Sequence, residues 1–310
     1  KAASDGIQDA RTQADRTIAA QVNALNADLQ QVHKLNVEIT SARARGGDTS
    51  TLLDQRQQAV DRIGEMVPVR EIARDGGQIA LYSTSGATLV DGRPPEIEFN
   101  PTYQVTPYLT ESAGTLSGLT INGTPVRTDS QGGALRGGSL SAQFAIRDEL
   151  GVAAQTELDA LARDLVERFQ DPAVDPSLAI GDAGLFTDEG LAFDPLNEVG
   201  LAGRVTINAA VDPNQGGEVW RMRDGINAVT EGPVGEAGLL NSLADAMTAM
   251  RAPASGSYAG QAQTASGLVS TIMSSVGVAR NQSDQELSFT SARFEELTRQ
   301  QMSEGVNSDD

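Results

Sequence analysis

Ile18, Val22, Leu25, Leu29, Val32, Asn36 and Ile39 recur at alternating spacings of four and three. An α-helix turns once in 3.6 residues, so that rhythm lays all seven on one stripe. The 22 residues they span extend about 33 Å as a helix. Asn36 interrupts the apolar seam, and a buried Asn lowers stability while fixing register through one specific hydrogen-bonding partner.

Arg43-Ala44-Arg45 set positive charge at the end of that helix, opposite the negative end of its dipole, and Gly46-Gly47 supply the positive φ that stops it. Asp48, Thr49 or Ser50 then caps a second helix, whose stripe is Leu53, Arg56, Val60, Ile63 and Val67, with Leu52 and Ala59 beside it. Pro68 ends it. Two stripes joined by so short a connection predict an antiparallel helical hairpin.

The periodicity then changes to alternation. VREIARDGGQIALYSTSGATLVDG reads as strands turning at Asp75-Gly76-Gly77 and again near Gly86. From Arg93 to Arg136, the pieces EIEF, YQVTPYL and LTINGTPV lie between Gly, Pro and Asn and predict a small β insertion. GGSLSAQFAIRDELGVAAQTELDALARDLVERFQ returns to helix, capped by Ser139, with Gly151 placed for close packing or a kink. RVTINAAV is the clearest strand of a second Gly- and Pro-rich insertion. Helices resume in LLNSLADAMTAM and from about Gln261 to Met302, where Leu268, Ile272, Ala279, Leu287, Phe294 and Leu297 are the larger apolar points.

The predicted fold is therefore α+β: an elongated, discontinuous helical bundle forming a stem, with β-rich insertions forming an outer domain. The stem takes residues 1–66, 138–172 and 236–310, and the insertions take 67–137 and 173–235.

Charge narrows the function. The net charge is −19 and Lys1 and Lys34 are the only lysines, so a phosphate backbone is repelled and nucleic acid is not an expected partner. Residues 1–65 are nearly balanced, with eight basic and nine acidic side chains, as suits helices that pack on neighbours. Residues 171–200 carry seven acids and no Lys or Arg, a stretch that suits water. Without cysteine there are no disulfides. No segment approaches 18 uninterrupted apolar residues and the first thirty lack the features of a secretion signal, so no membrane partner is expected.

Catalytic and metal chemistry find little to stand on. His33 is the only histidine and sits beside seam residue Val32, which marks it as a packing or surface residue. GGALRGG, residues 132–138, has glycines like a phosphate loop but lacks the Lys-Ser/Thr that should follow. No serine has Gly two residues away on both sides. Adjacent acids such as Asp148-Glu149 and Asp188-Glu189 do not face each other, and GDAGLFTDEG lacks the spacing of a calcium loop. Arg56 in LLDQR and Arg147 in FAIRDE fit a structural ion network or a contact between subunits. No catalytic, cofactor-binding or metal residue is assigned.

In order along the chain, LNVEI…GGDTSTLLDQRQQAVDRIGEMVPV, DGGQIALYSTSGATLVDG, GGSLSAQFAIRDELGVAAQTELDALARDLVERFQ and SEGVNSDD resemble the flagellar hook-associated protein 1 family, the hook–filament junction proteins. The departures are Gln57 where the family commonly has an acid, Ser308 for its usual Leu, and Glu304 between Ser303 and Gly305.

The resemblance implies a non-enzymatic subunit that joins hook to filament by packing in a helical ring with hook protein and other hook-associated proteins. It also implies an extracellular place reached through the flagellar export channel without a cleaved signal peptide, and an export chaperone for the full-length protein. Further assembly helices are expected beyond both ends, and without them a mainly monomeric fragment. The alternatives are another axial protein, flagellin or a different hook-associated subunit, and a carboxylate-based hydrolase, which requires two acids converging in a cleft.

Overall fold

The computed structural model describes residues 1–306 and is α+β, with long helices and, among the described residues, three small antiparallel sheets. It separates into two compact units, one made of residues 1–159 with 194–205, the other of 160–193 with the chain from 206 onward.

In the first unit, α1 (Ala2–Ala44) runs for 43 residues, about 64 Å at 1.5 Å each. Its buried face holds the seven stripe residues and continues toward the N-terminus through Ala14, Arg11 and Ser4. The helix closes with Gly46 at φ 70° and with Gly47 N donating to Ala42 O.

α2 (Ser50–Met66) buries Arg56, Ala59, Val60, Ile63 and Met66. Arg62 meets Asp28, and Arg56 meets Asn36, so partners rise on α1 as they fall on α2: the hairpin is antiparallel. Thr49 holds the cap position without a side-chain bond, while Asp48 Oδ1 accepts from both Ser50 N and Ser50 Oγ.

β1 (Val69–Ala73), β2 (Ile79–Ser83) and β3 (Thr88–Val90) form one sheet in that order, with a short 3-10 turn at Asp75–Gly77 between the first two. β4 (Ile97–Glu98), β5 (Leu119–Ile121) and β6 (Thr124–Val126) form another, and β5 turns into β6 at Asn122-Gly123. YQVTPYL, expected as a strand, is not one. Pro107 has no N–H for a ladder, and α1 claims the neighbouring main chain: Val105 N donates to Thr12, while the carbonyls of Tyr103, Thr106 and Leu109 accept from arginines.

α3 (Gly138–Phe144), a π-helical turn (Ala145–Leu150) and α4 (Gly151–Phe169) follow without a break. Ser139 does not cap α3. The cap position belongs to Gly137, and Ser139 Oγ instead donates to Glu65 O and accepts from Gln21 Nε2. Gly138 sits at φ 68°, where an added Cβ would stand 2.5 Å from Met66 O, so the end of α2 and the start of α3 meet backbone to backbone. α5 (Leu201–Arg204) completes this unit. Its core joins α1, α2, α3 and both sheets through Ile18, Leu25, Ile63, Leu81, Ile97 and Phe144.

In the second unit, β7 (Phe186–Asp188) pairs with β8 (Val205–Ile207). The strand is shorter than RVTINAAV because Asn208 Oδ1 accepts from Ala210 N and opens a 3-10 turn. Leu178, Val211 and Ile226 make a small core there. α6 (Arg221–Asp224), α7 (Gly238–Thr248) and α8 (Ala265–Val306) follow.

Of the apolar points expected on α8, Leu268 and Ile272 are buried, whereas Ala279, Leu287, Phe294 and Leu297 are exposed, as is all of 273–297. Periodicity identifies residues that share a face; it does not say that the face is covered. The stretch SEGVNSDD ends in residues 307–310, outside the described residues.

Candidate functional site

α1 works as a rail to which the rest of the first unit is fastened by polar side chains. Asn36 Nδ2 donates to Ile79 O at 2.8 Å and its Oδ1 accepts from Ile79 N at 3.1 Å. Asn26 does the same to Ile97, at 2.7 and 3.1 Å. Asp15 Oδ2 accepts from Thr102 N at 2.6 Å, and Thr12 Oγ1 from Val105 N at 3.0 Å. The partners 79, 97, 102 and 105 thus run down α1 in order as 36, 26, 15 and 12.

A carboxamide that satisfies both main-chain groups of one residue acts as a substitute neighbouring strand, so each small sheet is placed against α1 at a fixed height. Each bond contributes about 0.5–1.5 kcal/mol net. Losing a partner inside the protein costs about 1–3 kcal/mol.

Arg56 locks the upper fastening. It is buried on the α2 face, donating to Asn36 Oδ1 at 3.0 Å and to Gly77 O at 2.7 Å. The Arg in LLDQR is therefore a structural donor that joins α1, α2 and the β1–β2 turn. Burial lowers its pKa, against the attraction of Glu71.

Toward the N-terminus the rail carries a buried ionic clamp. Arg11 and Arg147 are both fully buried. Arg147 donates to Asp15 Oδ1 at 2.7 Å, to both oxygens of Asp148, and to Ser117 O at 2.8 Å. Its guanidinium also lies 5.3 Å from the centre of the Phe99 ring and 5.1 Å from that of Phe144. Arg11 donates to Arg147 O at 2.7 Å, Leu109 O at 2.7 Å, Thr106 O at 3.1 Å and Gln8 Oε1 at 2.9 Å.

Two cations taken out of water require this full set of acceptors. They find it: among the described residues, Gln21 Oε1 is the one buried side-chain polar atom without a hydrogen bond. Burial lowers the Arg11 pKa, against Asp148, and pushes the Asp148 carboxyl above its ordinary value, against the pull of Arg147.

The clamp passes through the π turn. Gly151 N donates to Ile146 O, five residues back, and the Arg147 carbonyl goes to Arg11. An added Cβ at Gly151 would lie 2.6 Å from Arg11 Cγ, so the glycine expected to permit close packing admits the arginine stem. Beyond the turn, Gln155 accepts from Ser4 Oγ and Gln8 Nε2, both at 2.9 Å. Asp159 accepts from Gly200 N at 2.7 Å and Ala202 N at 2.8 Å.

The second unit has a comparable centre that the sequence reading did not single out. Arg168, buried, donates to Asp164 at 2.7 Å and to the carbonyls of Ala246, Ala249 and Gln263. Arg251 reaches Asp164 and Glu167. An arginine four residues after an acid on one helix was the available signal, though it also describes an ordinary surface pair.

Of the adjacent acids, Asp148 belongs to the clamp, while Glu149 accepts from Ser130 N and Ser130 Oγ. His33 is half-buried on α1 and Asp54 is exposed. Asp188 and Leu191 form a small bridge. The glycines of GGALRGG form the turn that seats α3. Among the described residues, no group of three or more His, Cys, Asp and Glu side chains is placed to hold a metal, and no helix is long and apolar enough to cross a membrane.

Residues 1–172 match the family described as "Flagellar hook-associated protein FlgK helical domain". Flagellar hook-associated protein 1 of Salmonella typhimurium is 30% identical over 118 residues, covering 36% of this chain and 21% of that protein. Its counterpart in Escherichia coli K12 is 32% identical over 88 residues, covering 28% and 16%. The matches therefore span about a fifth or less of these relatives' length.

The solved flagellar hook junction protein FlgK from Burkholderia pseudomallei superposes with a TM-score of 0.47 at 22% identity, covering 60% of this chain and 33% of that one. The family match takes in the helical hairpin, both small sheets and the clamp, and extends over more than half of the sequence. This chain belongs to the flagellar hook-associated protein FlgK helical-domain family.

Proposed function

We propose that the protein carrying this chain is a structural subunit joining hook to filament in a bacterial flagellum, and that its work is mechanical. The carrying observation is the rail. A helix about 64 Å long has polar side chains from Ser4 to Asn36 engaged with partners distant in sequence. Bonds so distributed resist bending and shear of the unit, which suits a part set between unlike lattices. Arg11, Arg56 and Arg147 are consumed in holding it together.

On this reading, neighbouring axial subunits, including hook protein and other hook-associated proteins, pack against its outer surfaces through heterologous contacts. The protein reaches the cell exterior by flagellar export without a cleaved signal peptide, and a chaperone accompanies the full-length chain. Residues 1–66, 138–172 and 236–310 serve as the stem, with 67–137 and 173–235 as insertions.

Disrupting the gene in the source bacterium tests this. Intact hooks, absent filaments, filament protein shed into the medium and rescue by the full-length gene support it. Normal filaments and swimming in the disrupted strain overturn it.

A further inference from the structure

We propose that Arg11 sets the helical register of residues 138–169: by taking the Arg147 carbonyl it holds an α/π element in the π position and thereby keeps residues 200–202 docked.

Arg147 O has two competing donors. In an unbroken α-helix each N–H bonds to the carbonyl four residues back, so Gly151 N–H would bond to Arg147 O. Here it bonds to Ile146 O, and Arg11 Nε occupies Arg147 O at 2.7 Å. An α register at Gly151 and the Arg11 bond exclude each other. The backbone at Phe144, Ala145 and Gly151 is already in the right-handed helical region, with φ between −60° and −67°. Exchange of register therefore requires different hydrogen bonds and no new region of backbone conformation. The π-helix is rare and occurs mostly as single-turn bulges inside α-helices, so its presence here calls for a specific cause. Arg11 supplies that cause, and Gly151 leaves room for its stem.

The two registers have different consequences downstream. One residue of register turns the following helix by about 100°. In the π register Gln155 meets Ser4 and Gln8 on α1, and Asp159 receives the amides of Gly200 and Ala202. A turn of that size removes both side chains from those partners. Arg11 is thus a positioning residue for a segment it does not touch, acting through the helix between them.

Nuclear magnetic resonance on the 310-residue chain tests this through the scalar coupling carried across a hydrogen bond. In the unmodified protein Gly151 N couples to the Ile146 carbonyl carbon. Arg11→Lys keeps a cation for the Thr106 and Leu109 carbonyls but has no donor at the Nε position. In that variant the coupling moves to the Arg147 carbonyl carbon, and the Gly200 and Ala202 amides exchange with solvent at least tenfold faster. A variant that keeps the Ile146 coupling and protected Gly200 and Ala202 amides overturns the proposal, as does an Arg147 coupling in the unmodified chain. Asp159→Asn decides the matter if the lysine variant does not fold. It loosens Gly200 and Ala202 directly and leaves the Gly151 coupling on Ile146; movement of that coupling would show that Arg11 alone does not hold the register.

Discussion

Asn36 and Ile79, 43 positions apart in sequence, exchange two hydrogen bonds, the side chain of one serving both main-chain groups of the other. Asn36→Ala orphans Ile79 N and O inside the protein and removes an acceptor from Arg56. The expected loss is about 2–4 kcal/mol, from the cost of leaving buried polar groups unpaired. Denaturant unfolding measures it, and a loss under 0.5 kcal/mol, the level of an ordinary surface substitution, would contradict the role assigned to Asn36.

The Arg147–Asp15 pair predicts coupling between distant substitutions. Arg147→Met leaves Asp15 buried beside an apolar chain and should cost about 3–5 kcal/mol. Adding Asp15→Asn removes the stranded charge, so the double variant should be less destabilised than the sum of the two single ones. A double-mutant cycle reads this directly; strict additivity would mean that the two side chains do not support each other.

Gly138 makes a backbone prediction. At φ 68° and with Met66 O 2.5 Å from an added Cβ, Gly138→Ala should lower stability by about 1–3 kcal/mol through strain and displacement of α3. Gly86, also at positive φ but with nothing within 4 Å of its added Cβ, is the control. Calorimetry should show the larger drop in Tm at 138.

Two carboxylates should titrate with opposite effects on folding. Burial raises the Asp159 pKa above 3.8, against bonds from Ala202, Gly200 and Gln155. Its contribution is therefore greatest in acid and declines as pH rises through the folded value. Arg223, chiefly, lowers the Asp224 pKa from 3.8 to about 2, so its contribution is present above 3.8 and is lost as pH falls toward 2. The stability difference between unmodified protein and Asp159→Asn should shrink as pH rises, whereas that for Asp224→Asn should shrink as pH falls. Unfolding curves across pH 2–6 check both signs.

The helical hairpin and the first sheet were legible because each is local, a repeating stripe and a Gly pair, whereas LTINGTPV, read as one piece, is two strands turning at Asn122-Gly123. The upper fastening was half legible, since Asn36 and Arg56 stood out as polar residues on apolar stripes while their partners at Ile79 and Gly77 carried no mark. The lower clamp was hidden. Arg11 and Asp15 continue the α1 face, but hydrophobic periodicity is blind to charged residues even when they are buried. The π turn was equally hidden: Phe144, Ala145 and Gly151 have ordinary helical dihedrals, and the donor that takes the Arg147 carbonyl comes from far upstream. YQVTPYL shows the converse error, a strand-like pattern whose main chain is already engaged by α1.

The descending order of partners along α1 makes the helix sensitive to length as well as to composition. One inserted residue between Thr12 and Asn36 would swing every later side chain about a third of the way round the axis, and a seven-residue insertion, which restores the angle, would carry them about 10 Å too far. Among related proteins this stretch should accept many exchanges on its wet side yet tolerate almost no insertion or deletion, like a ruler whose markings can be recoloured but not respaced.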